Sequence, residues 1–240
     1  MRTLLLLALL LEVPPAFATW TALANSSQAG MTATLNSTGA NLLTVAITSN
    51  GDATADISDL VGGNSNTWTL AKASPTYSTV KLFYSIPAHV GASHAFTIGN
   101  TSGGTNFSIS ASAWTGAKSS GVLDSQTASN FVGSASTIAP GSITPANTDV
   151  LVISAVDFNM STSGYPSVDG SMTFWNGAAS TGANEGIGIA YHIMATPTAI
   201  NPTWTPNGGS ISWASALTVA FLAPDSSTGA PSTVRHRMIQ

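Results

Sequence analysis

Ionisable side chains are scarce in this sequence, and cysteine is absent from it. Charged residues make up 7% of the 240 positions, against about 25% in ordinary soluble domains. The formal net charge of −4 and the scattered lysines provide no basic field that would attract phosphate groups. Nucleic acid is therefore excluded as an expected partner. Without cysteine, the chain cannot form disulfides or bind metal through thiolates, so its stability must come from apolar burial and strand pairing.

Long hydrophobic runs are also missing, because no segment offers the ~20 apolar residues that a membrane-spanning helix needs. The run Leu4–Leu11 follows a positively charged start and precedes a small-x-small site at 16–18. This pattern is typical of a secretory signal peptide. We therefore expect a signal peptide over 1–18 and a secreted or particle-surface protein without a membrane span. The alternatives are an uncleaved anchor and a chance match to the pattern.

Groups for acid-base catalysis are few. The mature chain has one glutamate, Glu185, and most of its aspartates stand beside Gly, Asn or Ser, where they typically bond the local backbone. There is no G-x-S-x-G elbow and no glycine-rich nucleotide motif. The sequence predicts no catalytic residue and no cofactor. A polysaccharide-acting enzyme stays open as an alternative, and its mark would be Glu185 converging with an aspartate in a cleft.

The residues that could bind a metal ion are not grouped in the sequence either. Asp52, Asp56 and Asp59 could supply oxygen atoms to Ca²⁺, but strand alternation sends Asp56 and Asp59 to opposite faces. His89, His94 and His192 lack the spacing of a zinc site. No metal site is predicted.

What the sequence does contain is a series of short segments with alternating apolar residues, bounded by Gly, Asn, Pro and Ser. One face of such a segment carries Val80, Leu82, Tyr84 and Ile86. Another segment, 107–114, places Phe107, Ile109, Ala111 and Ala113 on one face, and Ser108, Ser110, Ser112 and Trp114 on the other. No window shows helical periodicity, so the fold class is all-β.

The second half of the chain repeats the plan of the first. Tyr191 follows Tyr84 by 107 positions, and Trp204 follows Phe96 by 108. This near-constant offset predicts an internal duplication with half repeats of about 19–120 and 121–224. We expect one antiparallel, jelly-roll-like β-sandwich over 19–224 and a flexible tail over 225–240, with two tandem domains as the alternative.

Several of these segments resemble a known group of proteins. The run 59–70 (DLVGGNSNTWTL), followed by the aromatic pair at 83–84, the strand 95–98 and Trp114, is similar to uncharacterised secreted and phage-associated β-sandwich proteins. In this sequence an insertion separates Asp59 from Asn66-Thr67-Trp68. The resemblance spans roughly 42–224 and implies an architecture and a secreted or particle-surface setting, but no catalytic residue.

The six tryptophans are the remaining side chains that could bind a ligand. Trp114 shares its predicted face with serines, and Trp175 alternates against Phe174 and Met172. Both are candidate ligand-binding residues whose rings could stack on sugar faces, and core packing is the alternative for each. The sequence thus predicts a secreted, non-catalytic binding or adhesion module, with a glycan or cell-surface polymer as partner. The alternative is a structural component of a virion surface or an extracellular matrix.

Overall fold

The computed structural model describes residues 19–50, 54–75, 79–102, 105–158, 166–169, 171–179, 186–207 and 211–224. The predicted signal peptide (1–18) and C-terminal tail (225–240) lie outside the described residues. Fifteen strands and no helix are found in the described part of the chain. The strands are β1 Thr21–Ala29, β2 Thr32–Leu35, β3 Leu42–Asn50, β4 Asp56–Leu60, β5 Thr69–Ala73, β6 Val80–Ser85, β7 His94–Gly99, β8 Thr105–Thr115, β9 Leu123–Ala135, β10 Val150–Phe158, β11 Ser167–Val168, β12 Thr173–Ala179, β13 Gly186–Met194, β14 Trp204–Thr205 and β15 Ile211–Leu222.

These strands form antiparallel sheets stacked in layers. The two large sheets have five strands each, in the orders β1-β8-β3-β6-β5 and β12-β13-β10-β15-β9. They pack face to face around one apolar cluster to which both contribute. The prediction of an all-β antiparallel sandwich is confirmed.

Each large sheet is also covered on its outer face. The three-stranded sheet β2-β7-β4 closes a second cluster over the first sheet. A third cluster lies over the second sheet, beneath the β11-β14 pair and the segments of Ile138 and Ile143. Burial on both faces explains why β10 (VLVISAVDF) is apolar almost throughout, whereas β4 alternates exposed and buried residues.

The two large sheets have the same strand order when their strands are matched along the chain. β1 corresponds to β9, β8 to β15, β3 to β10, β6 to β13 and β5 to β12. The outer layers also match: β7 lies between β2 and β4, while Trp204 of β14 pairs with Val168 of β11 on one side and with Ile138 on the other. The sequence repeat predicted these matches for β6 with β13, through Tyr84 and Tyr191, and for β7 with β14, through Phe96 and Trp204. A duplicated origin and the jelly-roll assignment stay predictions.

Candidate functional site

The two tryptophans singled out from the sequence lie against each other. The ring centroids of Trp114 and Trp175 are 4.3 Å apart, with an angle of 61° between the ring planes. Tyr191 completes the group, at 5.2 Å from Trp114 and 5.1 Å from Trp175. We call these three residues the aromatic cluster. They come from β8, β12 and β13, so the cluster forms where one edge of the first large sheet meets one edge of the second.

Trp114 lies at the bottom of the aromatic cluster and is fully buried. Its indole Nε1 donates a hydrogen bond to Thr44 Oγ1 at 3.3 Å. The serine-bearing face of β8 is covered by the second large sheet, and Ser110 bonds to Ser27 in the neighbouring strand β1. Of the two interpretations of Trp114, the structure therefore has core packing and not an exposed ring. Trp114 can act on a ligand only by supporting Trp175 and Tyr191.

Trp175 is half-buried and owes its orientation to a β-bulge. In β12, Phe174 lies opposite Ala190 of β13, and the next paired residue is Asn176, opposite Ile189. Trp175 is the extra residue between them, and a bulge of this kind redirects a side chain. Its ring turns toward the cluster between the sheets. β12 is an edge strand, so one side of the ring is open to solvent.

Tyr191 extends the surface beside Trp175. It lies on β13, next to the edge strand, and its side chain is half-exposed. Ile193, two residues further on the same face, is 42% exposed. The partly exposed side of the cluster is thus aromatic and aliphatic.

Two asparagines border this surface. Asn176 Nδ2 donates to Asn25 Oδ1 at 2.7 Å, a bond that joins the edge strands of the two large sheets. Asn176 Oδ1 accepts a hydrogen bond from the backbone of Gly177. An amide has two donor hydrogens and an oxygen with two lone pairs, so the pair retains capacity to bind hydroxyl groups. The local chemistry is that of apolar stacking with uncharged hydrogen bonding.

A second cluster, which sequence reasoning missed, lies under the three-stranded sheet. His94 Nε2 is 2.6 Å from Asp59 Oδ2, and His94 Nδ1 is 2.8 Å from Ser37 Oγ. Asp59 also accepts hydrogen bonds from the backbone and side-chain nitrogens of Asn66, at 2.8 and 2.6 Å, and from Trp68 Nε1 at 3.0 Å. The available signal was the run from Asp59 to Trp68 (DLVGGNSNTW).

This serine, histidine and aspartate arrangement is closed to substrates. Ser37 and His94 are fully buried, and Asp59 is 6% exposed. Ser37 Oγ accepts a hydrogen bond from Gly91 N at 3.0 Å, and a nucleophile would need an open approach to its hydroxyl oxygen. Desolvation of Asp59 raises its pKa, but the hydrogen bonds from Asn66, Trp68 and His94 outweigh that effect and hold the pKa below its usual range. The network fastens the loop 61–68 and the segment around Gly91 to β4 and β7.

The other candidates for chemistry are not brought together. The described residues contain no group of three or more His, Asp or Glu side chains that could hold a metal ion. Asp56 is exposed and Asp59 is buried, on opposite faces of β4 as alternation predicts. Asp52 and Glu185 lie outside the described residues, so the proposed convergence of Glu185 with an aspartate stays a prediction.

Membrane-spanning helices are absent from the residues that the structure describes. Comparison of the chain with known protein families, curated proteins and solved structures finds no match.

Proposed function

We propose that this protein is a secreted, non-catalytic binding or adhesion module that contacts a neutral glycan through the exposed side of its aromatic cluster. The observation that carries the proposal is Trp175, a half-exposed tryptophan that a bulge orients on an edge strand and that two further rings support. Secretion is inferred from the leader-like segment at the start of the chain.

The corresponding position in the first half argues that Trp175 is more than packing. β5, the counterpart of β12, also has a bulge: Leu70 lies opposite Phe83 and Lys72 opposite Leu82, leaving Ala71 between them. Ala71 is buried at the same place relative to the inter-sheet cluster. The bulge of β12 thus holds a large, half-exposed ring where the equivalent bulge of β5 holds a buried alanine, and the exposed part of this ring is available for contact with a ligand.

The ligand class follows from the surface around the ring. Trp and Tyr combine an apolar face with a polar group, which suits a molecule with alternating C–H and hydroxyl surfaces. Asn25 and Asn176 can bind hydroxyls without charge. An anionic ligand would call for Arg or Lys at the surface of the cluster, and its members carry none. Neutral sugars therefore fit better than acidic ones.

The non-catalytic part of the proposal is supported by the buried Ser37, His94 and Asp59 network, which has a structural role. Because this network is closed to substrates, a polysaccharide-acting enzyme would need another pair of groups elsewhere, which act as acid and base on the substrate. No aspartate, glutamate or histidine belongs to the aromatic cluster itself.

We also infer that the two halves are repeats of one jelly-roll-like unit and that the chain belongs with the secreted and phage-associated sandwich proteins that it resembles. The matched strand orders of the two large sheets support the first inference. Asn66 and Trp68 both donate hydrogen bonds to Asp59, and this network within the segment 59–70 gives a structural reason for the segment to recur in similar proteins.

A glycan array tests the proposed function. Wild-type protein is expected to bind neutral oligosaccharides. Trp175→Ala is expected to lose about 5- to 150-fold in affinity, if stacking of a sugar on the ring is worth the ~1–3 kcal/mol that stacking of a nucleic-acid base on an aromatic side chain is worth. The matched control is Phe174→Ala, which removes a 36%-exposed ring from the same strand but from its other face. Equal binding by wild type and Trp175→Ala, or no binding by the wild type, would refute the glycan proposal and leave the structural-component alternative.

A further inference from the structure

The contacts between the two large sheets come in reciprocal pairs. β1 contacts β12, and β9, the counterpart of β1, contacts β5, the counterpart of β12. In the same way, β8 contacts β13 while β15 contacts β6, and β13 contacts β3 while β6 contacts β10. Such reciprocity is what a twofold axis produces, where patch i meets patch j and patch j meets patch i.

Two aromatic pairs show the same reciprocity at the level of side chains. Tyr191 of β13 packs on Trp114 of β8 with centroids 5.2 Å apart and planes at 69°. Tyr84 of β6 packs on Phe221 of β15 with centroids 5.7 Å apart and planes at 65°. The register matches as well, because Trp114 lies opposite Leu42 and Phe221 opposite Leu151, each in the central strand of its sheet.

The two ends of the interface do not have the same side chains at equivalent positions. Where one end has a small residue, the other has a large one. At one end, Ala22 lies opposite Trp114 and Trp175 occupies the bulge of β12. At the other end, Leu123 lies opposite Phe221 and Ala71 occupies the bulge of β5. All four residues belong to the inter-sheet cluster or pack against it. Each end thus has one small and one large residue, in opposite positions.

We infer that the protein is the single-chain equivalent of a symmetric dimer, in which the inter-sheet face of each half is a docking surface for a second copy of the same unit. The approximate twofold axis runs between β3 and β10. Ser119, Ser120 and Gly121, the exposed turn between the halves, join what would be two separate chains. The exchange of Ala71 and Trp175 then explains why one end of the interface carries a tryptophan near the surface: the two copies diverged at their edges, and small and large side chains came to occupy opposite positions.

Double-mutant cycles on the full chain test this inference. Ala71→Trp and Leu123→Ala each perturb a packed site, and each alone is expected to raise the unfolding equilibrium constant about tenfold or more. If the two ends are equivalent, position 123 corresponds to Ala22 and position 71 to Trp175. The double variant then has the same two side chains at its end as the natural protein has at the other. Its unfolding constant should then be no higher than that of the milder single variant. Additive effects, about a hundredfold, would contradict the equivalence.

The reverse exchange is the matched control. Trp175→Ala and Ala22→Leu should show coupling of the same sign, since together they recreate the pair of Ala71 and Leu123. If Ala71→Trp alone does not fold, Ala71→Phe is the smaller probe for the same cycle. Absence of coupling in both cycles would overturn the twofold relationship. The readout is urea unfolding without any ligand, so it stands or falls independently of glycan binding.

Discussion

The imidazole Nε2 of His94 lies 2.6 Å from a carboxylate oxygen of Asp59, and both side chains are completely shielded from solvent. Burial of such a pair is costly unless the remaining polar atoms are bonded as well. Here Ser37 is hydrogen-bonded to the second nitrogen of the imidazole, and Asn66 and Trp68 donate hydrogen bonds to the carboxylate. The network is therefore expected to contribute to stability and to make it dependent on pH.

Asp59 gives the first prediction. Because its pKa is lower in the folded than in the unfolded chain, the carboxylate contributes stability above the unfolded pKa of about 3.9, and this contribution is lost as the pH falls through the folded pKa. Asp59→Asn should lower the free energy of unfolding at pH 7 by about 1–3 kcal/mol. The difference from wild type should shrink below pH ~4. Urea midpoints at pH 7 and pH 3 measure both effects.

Asp56→Asn is the control for this experiment, since Asp56 is exposed on the other face of β4. It should leave the midpoint nearly unchanged at both values of pH. A loss as large as that of Asp59→Asn would assign the pH dependence to the general charge of the strand and not to the buried network.

Ser37 gives the second prediction. Removing its hydroxyl leaves His94 Nδ1 and Gly91 N with no partner from this side chain, at a cost of about 1–3 kcal/mol. Ser37→Ala should therefore lower the melting temperature and leave glycan affinity unchanged. Thr38→Ala, at an exposed neighbouring position, should change neither the melting temperature nor the glycan affinity. If Ser37→Ala abolished a hydrolytic activity of the purified protein without loss of stability, the structural assignment of the network would be wrong.

Trp114 gives the third prediction. Phe221 occupies the corresponding place in the second half, so the inter-sheet face can accommodate a phenyl ring there. Trp114→Phe loses the bond to Thr44 and should cost only about 1–2 kcal/mol. Trp114→Ala should cost about 3–5 kcal/mol and weaken ligand binding too, because Trp175 loses its support. Calorimetric unfolding of the two variants compares the costs, and equal costs would contradict the packing role.

Gly116 gives the fourth prediction. It has φ of 100°, and a Cβ at this position would lie 2.9 Å from Trp20 Cα and 3.0 Å from the Thr19 carbonyl oxygen. Backbone atoms cannot yield as a flexible side chain can. Gly116→Ala should therefore cost about 1–3 kcal/mol. Gly39→Ala is the control for the steric part of this cost, because Gly39 has a φ of 82°, closer to that of Gly116, but no atom within 4 Å of its Cβ position. Equal melting temperatures for the two variants would contradict the prediction that a Cβ at position 116 clashes with the backbone of residues 19 and 20.

Alternation in the sequence predicted the faces of β6 and β8, but not the end of β6: Ile86, expected on the same face as Val80, lies beyond the strand and is 37% exposed. The residues on each side of β6 and β8 were assigned from period two alone, and the offset between Tyr84 and Tyr191 matched strands that occupy equivalent places. Local pattern determines which residues share a face because successive side chains in a strand point to opposite sides.

Alternation could not show which faces are covered. The serines of β8 suggested a solvent-facing surface for Trp114, yet a second sheet covers them, and in a chain so poor in charge polar residues do not mark the exterior. Asp157 is a similar case, since it is buried inside β10 opposite Ser215 and not at a turn. The Ser37, His94 and Asp59 network depends on contacts between residues up to 57 positions apart, which no local motif encodes.

The most direct measurement of the central claim follows the indole N–H resonance of Trp175 by NMR while neutral oligosaccharides are added. We expect this resonance to shift along a saturating curve, and the resonance of Trp204, buried in the outer core and bonded to Ser154, to stay in place. A resonance of Trp175 that does not move with any neutral sugar, in a protein shown to be folded, would contradict the assignment of the aromatic cluster as a glycan-binding surface.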